Sequence, residues 1–450
     1  MDRYDLVIIG AGPAGEAAAF VARKRGASVA IIDRDLFGGA CPFFACMPSK
    51  SLLHAAAVHA AGGDYPWPKA SARRDWMISR EDRDYPDDAR HKTDLEAAGA
   101  VTMRGSARLN GPGRVIVAHD GAEHELEAGA VILAVGSGSK IPDIPGLAEV
   151  PYWTNRHATG TRELPESLVI LGAGPTGVEL AQAYARFGVP VTLVVPGDRI
   201  LPRDHPRTSA AVAVGLERDG VLIRTGGRAV RAEAGAGTNG RHRFVLEDGG
   251  TVEGAAVLLA VGRTFPLDGL GLETVGVDPS SGRLAPDAQL RIAPGLFVAG
   301  DPAGPEMHTH VSHYQGEMAA RIALGDDVTP DYRAIPRAVY TDPETGSVGL
   351  LLEEALARGT DAKEFTADLA TSAKGYAAEA AGHVSIVVDR AAATLVGAFI
   401  AGPGGSEAIH EAVLAVKLQT PLAVLADTIH AFPTVARVMG FLFAEAVERR

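Results

Sequence analysis

Cysteine is nearly missing from this chain: Cys41 and Cys46 are the only two in 450 residues. That excludes a secreted fold stapled by a disulfide framework and fits a reducing compartment such as the cytoplasm. Positive charge is short as well. Lys and Arg number 43 against 55 Asp and Glu, a formal net charge of −12. Neither nucleic acid nor an anionic membrane is an expected partner, since both reward a basic surface. No apolar run is long enough to cross a bilayer. The start, MDRYDLVIIGAG, is acidic and passes directly into a strand-like run, so no signal peptide is expected. What is present, 46% hydrophobic and 22% charged residues, describes an ordinary globular protein with room for two or three domains.

Glycine, by contrast, is abundant and placed. The apolar run Leu6–Ile9 reads as a buried strand and leads into Gly10-Ala11-Gly12-Pro13-Ala14-Gly15. A helical stretch to about Arg25, a Gly26 stop and a second strand Ser28–Ile32 follow, ending at Asp33, 18 residues beyond Gly15. Strand, glycine turn, helix, strand and acid together form a dinucleotide fingerprint. Gly10 permits the tight turn, Gly12 lets backbone approach a pyrophosphate, and Gly15 lets helix pack on strand. The helix N-terminus faces the phosphates and Asp33 accepts hydrogen bonds from a ribose.

The pattern recurs. Leu168–Leu171 leads into Gly172-Ala-Gly174-Pro175-Thr-Gly177, a helix to Phe187, Gly188 and the strand Val191–Val195. Two nucleotides are therefore expected. Counting 18 residues on from Gly177 reaches Val195, so the second ribose acid is absent. Arg199 and Arg203 lie nearby, either to meet a 2′-phosphate or as plain surface arginines, the preferred reading, and NADH is not separated from NADPH. Two apolar strands end alike, Val131-Ile-Leu-Ala134-Val-Gly136 and Val257-Leu-Leu-Ala-Val-Gly262-Arg263, each closing one nucleotide domain. A third, Leu296-Phe-Val-Ala-Gly300-Asp301, carries a carboxylate at its tip, where open α/β sheets bind ligands.

Just after the first fingerprint lies Gly38–Lys50, GGACPFFACMPSK, which holds both cysteines. With this segment the chain resembles the FAD- and NAD(P)H-dependent pyridine nucleotide–disulfide oxidoreductases, the group of dihydrolipoamide dehydrogenase, glutathione reductase and mercuric reductase. The resemblance rests on both fingerprints, the second ending in Glu179, and on the Gly-Gly-x-Cys-x4-Cys-x-Pro-Ser-Lys segment. It continues through the Gly300-Asp301 strand, Tyr340-Thr-Asp-Pro-Glu-Thr-Gly-Ser-Val-Gly349 and the late Pro433-Thr434. It implies an α/β fold: two doubly wound FAD- and NAD(P)-binding domains with a C-terminal α+β dimerisation domain. FAD binding is expected over residues 1–150 and 266–330, NAD(P) binding over 151–265 and the interface over 331–450. The family is a two-fold homodimer with shared active sites.

Position by position, the resemblance assigns Gly10 to Gly15, Asp33 and Asp301 to FAD, and Gly172, Gly174 and Gly177 to the nicotinamide nucleotide. Further cofactor contacts are implied at Arg34, Gly39, Ala40, Ala107, Ala134, Gly136, Ser137, Gly262, Arg263, Gly300, His308 and Thr309. Lys50 and Glu179 match the family's ion pair beside the flavin. A cation there stabilises reduced flavin, and Glu179 offsets the cost of burying Lys50. By the same resemblance Cys46 takes electrons from the flavin and Cys41 exchanges with substrate. No metal site is implied. On a regular helix five residue steps turn about 500° and leave the two side chains about 140° apart. A bond between them needs distorted backbone, and such bonds tend to be reducible rather than structural. Two idle buried thiols are the alternative.

The departures narrow the chemistry. Disulfide-reducing relatives carry His-x-His-Pro-Thr-x-x-Glu near the C-terminus, the second histidine acting as base and the glutamate orienting it. Here the segment is His430-Ala-Phe432-Pro433-Thr434-Val-Ala-Arg437. Losing a general base costs about 10²–10⁴-fold. His430 is read as a packed histidine rather than a substitute, and His410, on an amphipathic helix, similarly. Pro42, Phe43 and Phe44 separate the cysteines where relatives have small or polar residues; if Phe432 of a second copy faces them, the pocket over Cys41 is aromatic and poorly hydrated, which raises the thiol's pKa. Pro175 replaces the aromatic gate of some relatives, and the C-terminal Glu448-Arg-Arg carries no extra cysteine pair. The expected function is an FAD-dependent NAD(P)H oxidoreductase that passes electrons to a Cys41–Cys46 disulfide and an apolar or easily protonated small acceptor. The alternatives are a reductase of quinones, dyes or metal ions with a vestigial or regulatory disulfide, and an FAD-holding redox sensor.

Overall fold

The structure, a computed structural model, describes residues 2–79, 86–119 and 121–449. Met1 and Arg450 of the two terminal runs lie outside the described residues. The chain divides into two compact units. One comprises Met1–Ser49, Ser71–Lys140 and Gly262–Asp331, the other Lys50–Ala70, Ile141–Val261 and Tyr332–Arg450.

In the first unit the apolar run ends a strand, Asp2–Ile9. Leu6 and Ile8 point into one core with Ala14, Ala18 and Ile31. Val7 and Ile9 point into another with Val131, Leu133 and Val298. Burial on both faces explains why the run has no polar alternation. Its parallel neighbours are Val29–Asp33 on one side and Ala122–Leu133 on the other. The chain leaves Asp2–Ile9 toward Val29–Asp33 and Val101–Arg104, and only later adds Ala122–Leu133 and Leu296–Val298 on the opposite side. Strand order therefore reverses beside Asp2–Ile9, and the crevice at the carboxyl ends of the strands there is the usual ligand position of such sheets. Helices Pro13–Lys24 and Thr309–Ala323 share the core on one face.

The second unit contains a parallel sheet ordered Leu222–Arg224, Val191–Val194, Leu168–Leu171 and Ala256–Leu259. The helix Pro175–Arg186 follows its central strand. The same unit holds a five-stranded antiparallel sheet ordered Pro336–Val339, Thr345–Gly349, Thr394–Ala401, His383–Asp389 and Ala362–Asp368. Helices His410–Leu418 and Val435–Arg449 bury Ala412, Val416, Met439 and Phe443 against it. Among the described residues no helix is long and apolar enough to cross a membrane.

Candidate active site

The first glycine turn is closed by contacts that no side chain would permit. A Cβ on Gly15 would lie 1.9 Å from Gly10 O, and one on Gly10 would lie 2.3 Å from Ala134 O. Gly12 is the N-cap of Pro13–Lys24 and provides no side-chain cap. The first-turn N–H groups, including those of Ala14 and Gly15, are thereby left for an anion, while Pro13 loses nothing by lacking one. Asp33 Oδ2 accepts from Ala11 N at 2.7 Å and Oδ1 from Asp35 N at 2.7 Å. Burial pushes the Asp33 carboxyl up, against the pull of those two N–H groups. Arg34 beside it is exposed, and Ala107 is half-buried in the following hairpin. This cradle, an uncapped helix and an acid at the strand end fit the pyrophosphate and ribose of a flavin dinucleotide.

Three of the expected residues meet at the carboxyl ends of the same sheet. Asp301 Oδ2 accepts from Arg263 Nη1 at 2.5 Å and from Ser137 Oγ, and Arg263 also donates to Ser137 Oγ at 3.1 Å. Arg263 thus does not extend the strand Ala256–Leu259; it forms a two-residue ladder, Arg263 opposite Ser139, beyond Gly136. Gln315, which sequence reasoning missed, is fully buried, accepts from Gly300 N at 2.9 Å and donates to Gly304 O.

The redox segment departs from a regular helix. Ala40–Phe44 and Cys46–Ala60 are separate helices, broken at Ala45 with φ −129° and ψ −96°. This distortion, and not an uninterrupted helix, brings the thiols together, so that Cys41 hydrogen-bonds with Cys46; both are free thiols here. Gly39 lies against the first fingerprint, where a Cβ would sit 2.7 Å from Gly12 Cα. Cys46 Sγ is 3.2 Å from Thr309 Oγ1, and Thr309 also hydrogen-bonds Cys41. Thr309 opens a 15-residue helix, whose N-terminus favours a nearby thiolate. His308 is the N-cap residue; its Nε2 lies 3.1 Å from Glu306 Oε2 and its ring stacks on His310.

Cys41 is pushed up, first by its hydrogen bond to Cys46, next by burial and then by the charge of a Cys46 thiolate. Phe43 and Phe44 are buried in a small core with Ile78, partly covered by Leu36, and Phe43 sits edge-on to His91.

In the second unit the glycine turn repeats: a Cβ on Gly177 would lie 2.1 Å from Gly172 O. Gly174 is the N-cap of the following helix and Pro175 stands in its first turn, as Pro13 does in its own. From that helix Glu179 Oε2 accepts from Lys50 Nζ at 2.7 Å, with the side chains 6% and 36% exposed respectively. Glu179 Oε1 accepts from Tyr340 N at 3.0 Å, and Lys50 Nζ sits 4.6 Å from the centre of the Tyr340 ring. Tyr340 lies in a motif read only as family punctuation, and its role as brace of this pair was missed.

Toward the C-terminus Phe432 is 73% exposed. Arg437 stacks its guanidinium 4.6 Å over the Phe441 ring. The His430 side chain is 6% exposed, its Nε2 2.8 Å from Glu411 Oε1 and its ring against Gly440. His410 is exposed at the first position of its helix.

Comparison with known proteins gives the family of the chain. Residues 4–316 match the pyridine nucleotide-disulphide oxidoreductase family and residues 335–441 its dimerisation domain. A dihydrolipoyl dehydrogenase of Halobacterium salinarum is 33% identical over 454 residues, covering 96% of this chain and 94% of that protein. A mercuric reductase of Streptomyces lividans is 33% identical over 452 residues, covering 97% and 94%. The crystal structure of LpdA from Mycobacterium tuberculosis superposes with a TM-score of 0.87 at 28% identity, covering 99% of each chain. The chain belongs to the pyridine nucleotide-disulphide oxidoreductase family, FAD-dependent enzymes that oxidise NAD(P)H.

Proposed function

We propose that this chain is a homodimeric, dithiol-using NAD(P)H oxidoreductase for a small electron acceptor, with Cys41 and Cys46 as its redox pair. The observation that carries this reading is the break at Ala45, which turns Cys41 onto Cys46 beside Thr309. Bound FAD supplies hydride acceptance from the nicotinamide and delivery of the electron pair. Gly10, Gly12, Gly15 and Asp33 would bind and orient it, together with Asp301, which Arg263 and Ser137 hold in place. Lys50, paired with Glu179, would supply the cation that stabilises reduced flavin. The oxidised Cys41–Cys46 pair takes two electrons and two protons to give the dithiol. In disulfide reduction Cys41 attacks the acceptor, its proton leaves and one acceptor thiolate departs. Cys46 thiolate then displaces the second, reforming the pair.

That attack needs Cys41 deprotonated, yet its thiol is pushed up and Phe432 occupies the base position of the family segment. These two observations favour acceptors that require no thiolate attack, such as quinones or dyes. Exposed Ile429, Phe432 and Leu418 in the region matching the dimerisation domain support a second copy as the partner. Anaerobic reduction by NADH and NADPH, followed by lipoamide, quinone, dye and Hg(II), tests the reading. Flavin reduction with faster quinone or dye than lipoamide turnover is expected. Flavin that neither coenzyme reduces would overturn it.

A further inference from the structure

The two fingerprints of this chain are superimposable in register and differ at one functional position. In the first, Ile9 pairs with Ile32, Gly10 N donates to Ile32 O at 2.8 Å, and the next residue is Asp33. In the second, Leu171 pairs with Val194, Gly172 N donates to Val194 O at 3.0 Å, and the next residue is Val195. Val195 is therefore the structural counterpart of Asp33. It is 2% exposed and packed in the core, offering a ribose hydroxyl no acceptor. A carboxylate here grips the 2′-hydroxyl of NADH and repels a 2′-phosphate; a nearby arginine does the reverse.

The loop that follows is held against the glycine turn, since Leu201 N donates to Ala173 O at 2.9 Å. Its arginines are not equivalent. Arg199 donates Nη2 to Pro202 O at 2.9 Å and belongs to the loop's own framework. Across the adjoining strand end, where Gly226 N donates to Gly197 O, Arg224 is paired with Asp248 at 2.5 Å. Arg203 is exposed, and its side chain has no partner among the described residues. Asp198, also exposed, is the acid within this loop.

We infer that the nicotinamide site selects the 2′-phosphorylated coenzyme, NADPH, with Val195 removing the excluding carboxylate and Arg203 pairing with the 2′-phosphate. This rests on the reading that the second fingerprint holds the nicotinamide nucleotide. Binding of 2′,5′-ADP and 5′-AMP to the holoenzyme, measured by calorimetry, isolates the 2′-phosphate without turnover. A charge-assisted pair predicts roughly 10- to 100-fold tighter binding of 2′,5′-ADP, weakening with salt and largely lost in Arg203→Ala. In turnover, kcat/KM should favour NADPH, and Val195→Glu should reverse the preference through KM with kcat little changed. Equal binding of the two probes, or wild-type preference for NADH, overturns the inference, as does full retention of the 2′,5′-ADP advantage in Arg203→Ala. Should Val195→Glu not fold, the probe titrations still decide. Failure of both coenzymes to reduce the flavin, with tight 2′,5′-ADP binding, would instead refute the oxidoreductase reading.

Discussion

Removing Lys50 should cost this protein more than removing Glu179, although the two form one ion pair. The Glu179 side chain is 6% exposed and that of Lys50 36%, so their alternatives to pairing differ. Without Glu179 the ammonium reaches water along its own stem. Without Lys50 the carboxylate stays buried with the Tyr340 N–H, 3.0 Å away, as its remaining donor among the contacts described. Breaking a buried pair from one side costs about 3–5 kcal/mol, and a fully exposed pair is worth about 0–1 kcal/mol. Lys50→Met should fall between these limits, at about 2–3 kcal/mol. Glu179→Gln should cost about 1 kcal/mol, because the amide oxygen still accepts from Tyr340. A double-mutant cycle on the holoenzyme, read as thermal midpoints with a denaturant series as check, should give a coupling of about 1–2 kcal/mol. Glu179→Gln as costly as Lys50→Met, or a coupling under about 0.5 kcal/mol, would refute the asymmetry argument.

The thiols make a second prediction: on NAD(P)H reduction Cys46→Ser should abolish a long-wavelength thiolate–flavin absorbance that Cys41→Ser shows constitutively, and identical spectra in both variants would separate the thiols from the flavin. Rebuilding the base with Phe432→His and Arg437→Glu should raise lipoamide turnover about 10-fold or more, leaving quinone turnover unchanged; a parent already fast with lipoamide would contradict this. Burial holds His383 near 3 in the fold against 6.5 unfolded, so the unfolded chain takes the proton first as pH falls. Stability is then intact above about pH 6.5 and lost below it by up to about 1.4 kcal/mol per pH unit. His383→Gln should flatten that loss between pH 6.5 and 5 in denaturant midpoints, and parallel curves for variant and parent would count against it.

What was legible in the sequence was what the backbone itself demands. Gly10, Gly15, Gly172 and Gly177 are required by close approaches that admit no Cβ, so their spacing announces the turns and the strands they join. The strands around them end within a residue or two of expectation, Leu168–Leu171 without any difference. Lys50 and Glu179 are 129 positions apart and were legible only through family resemblance, because nothing local marks a long-range pair. Gln315, Tyr340 and the tie between Arg263 and Asp301 were out of reach for the same reason: each acts through a partner that only the fold brings near. Phe43 and Phe44 show the converse error. Their position between the cysteines suggested an apolar wall, whereas the break at Ala45 lets the short helix turn them into the core. What restrains Cys41 is first its hydrogen bond to Cys46, next burial, and only then the charge of the neighbouring thiolate. On the proposed reading, the proton chemistry of the acceptor selects it more strongly than its polarity does, because Cys41 surrenders its proton only when something else is ready to take it.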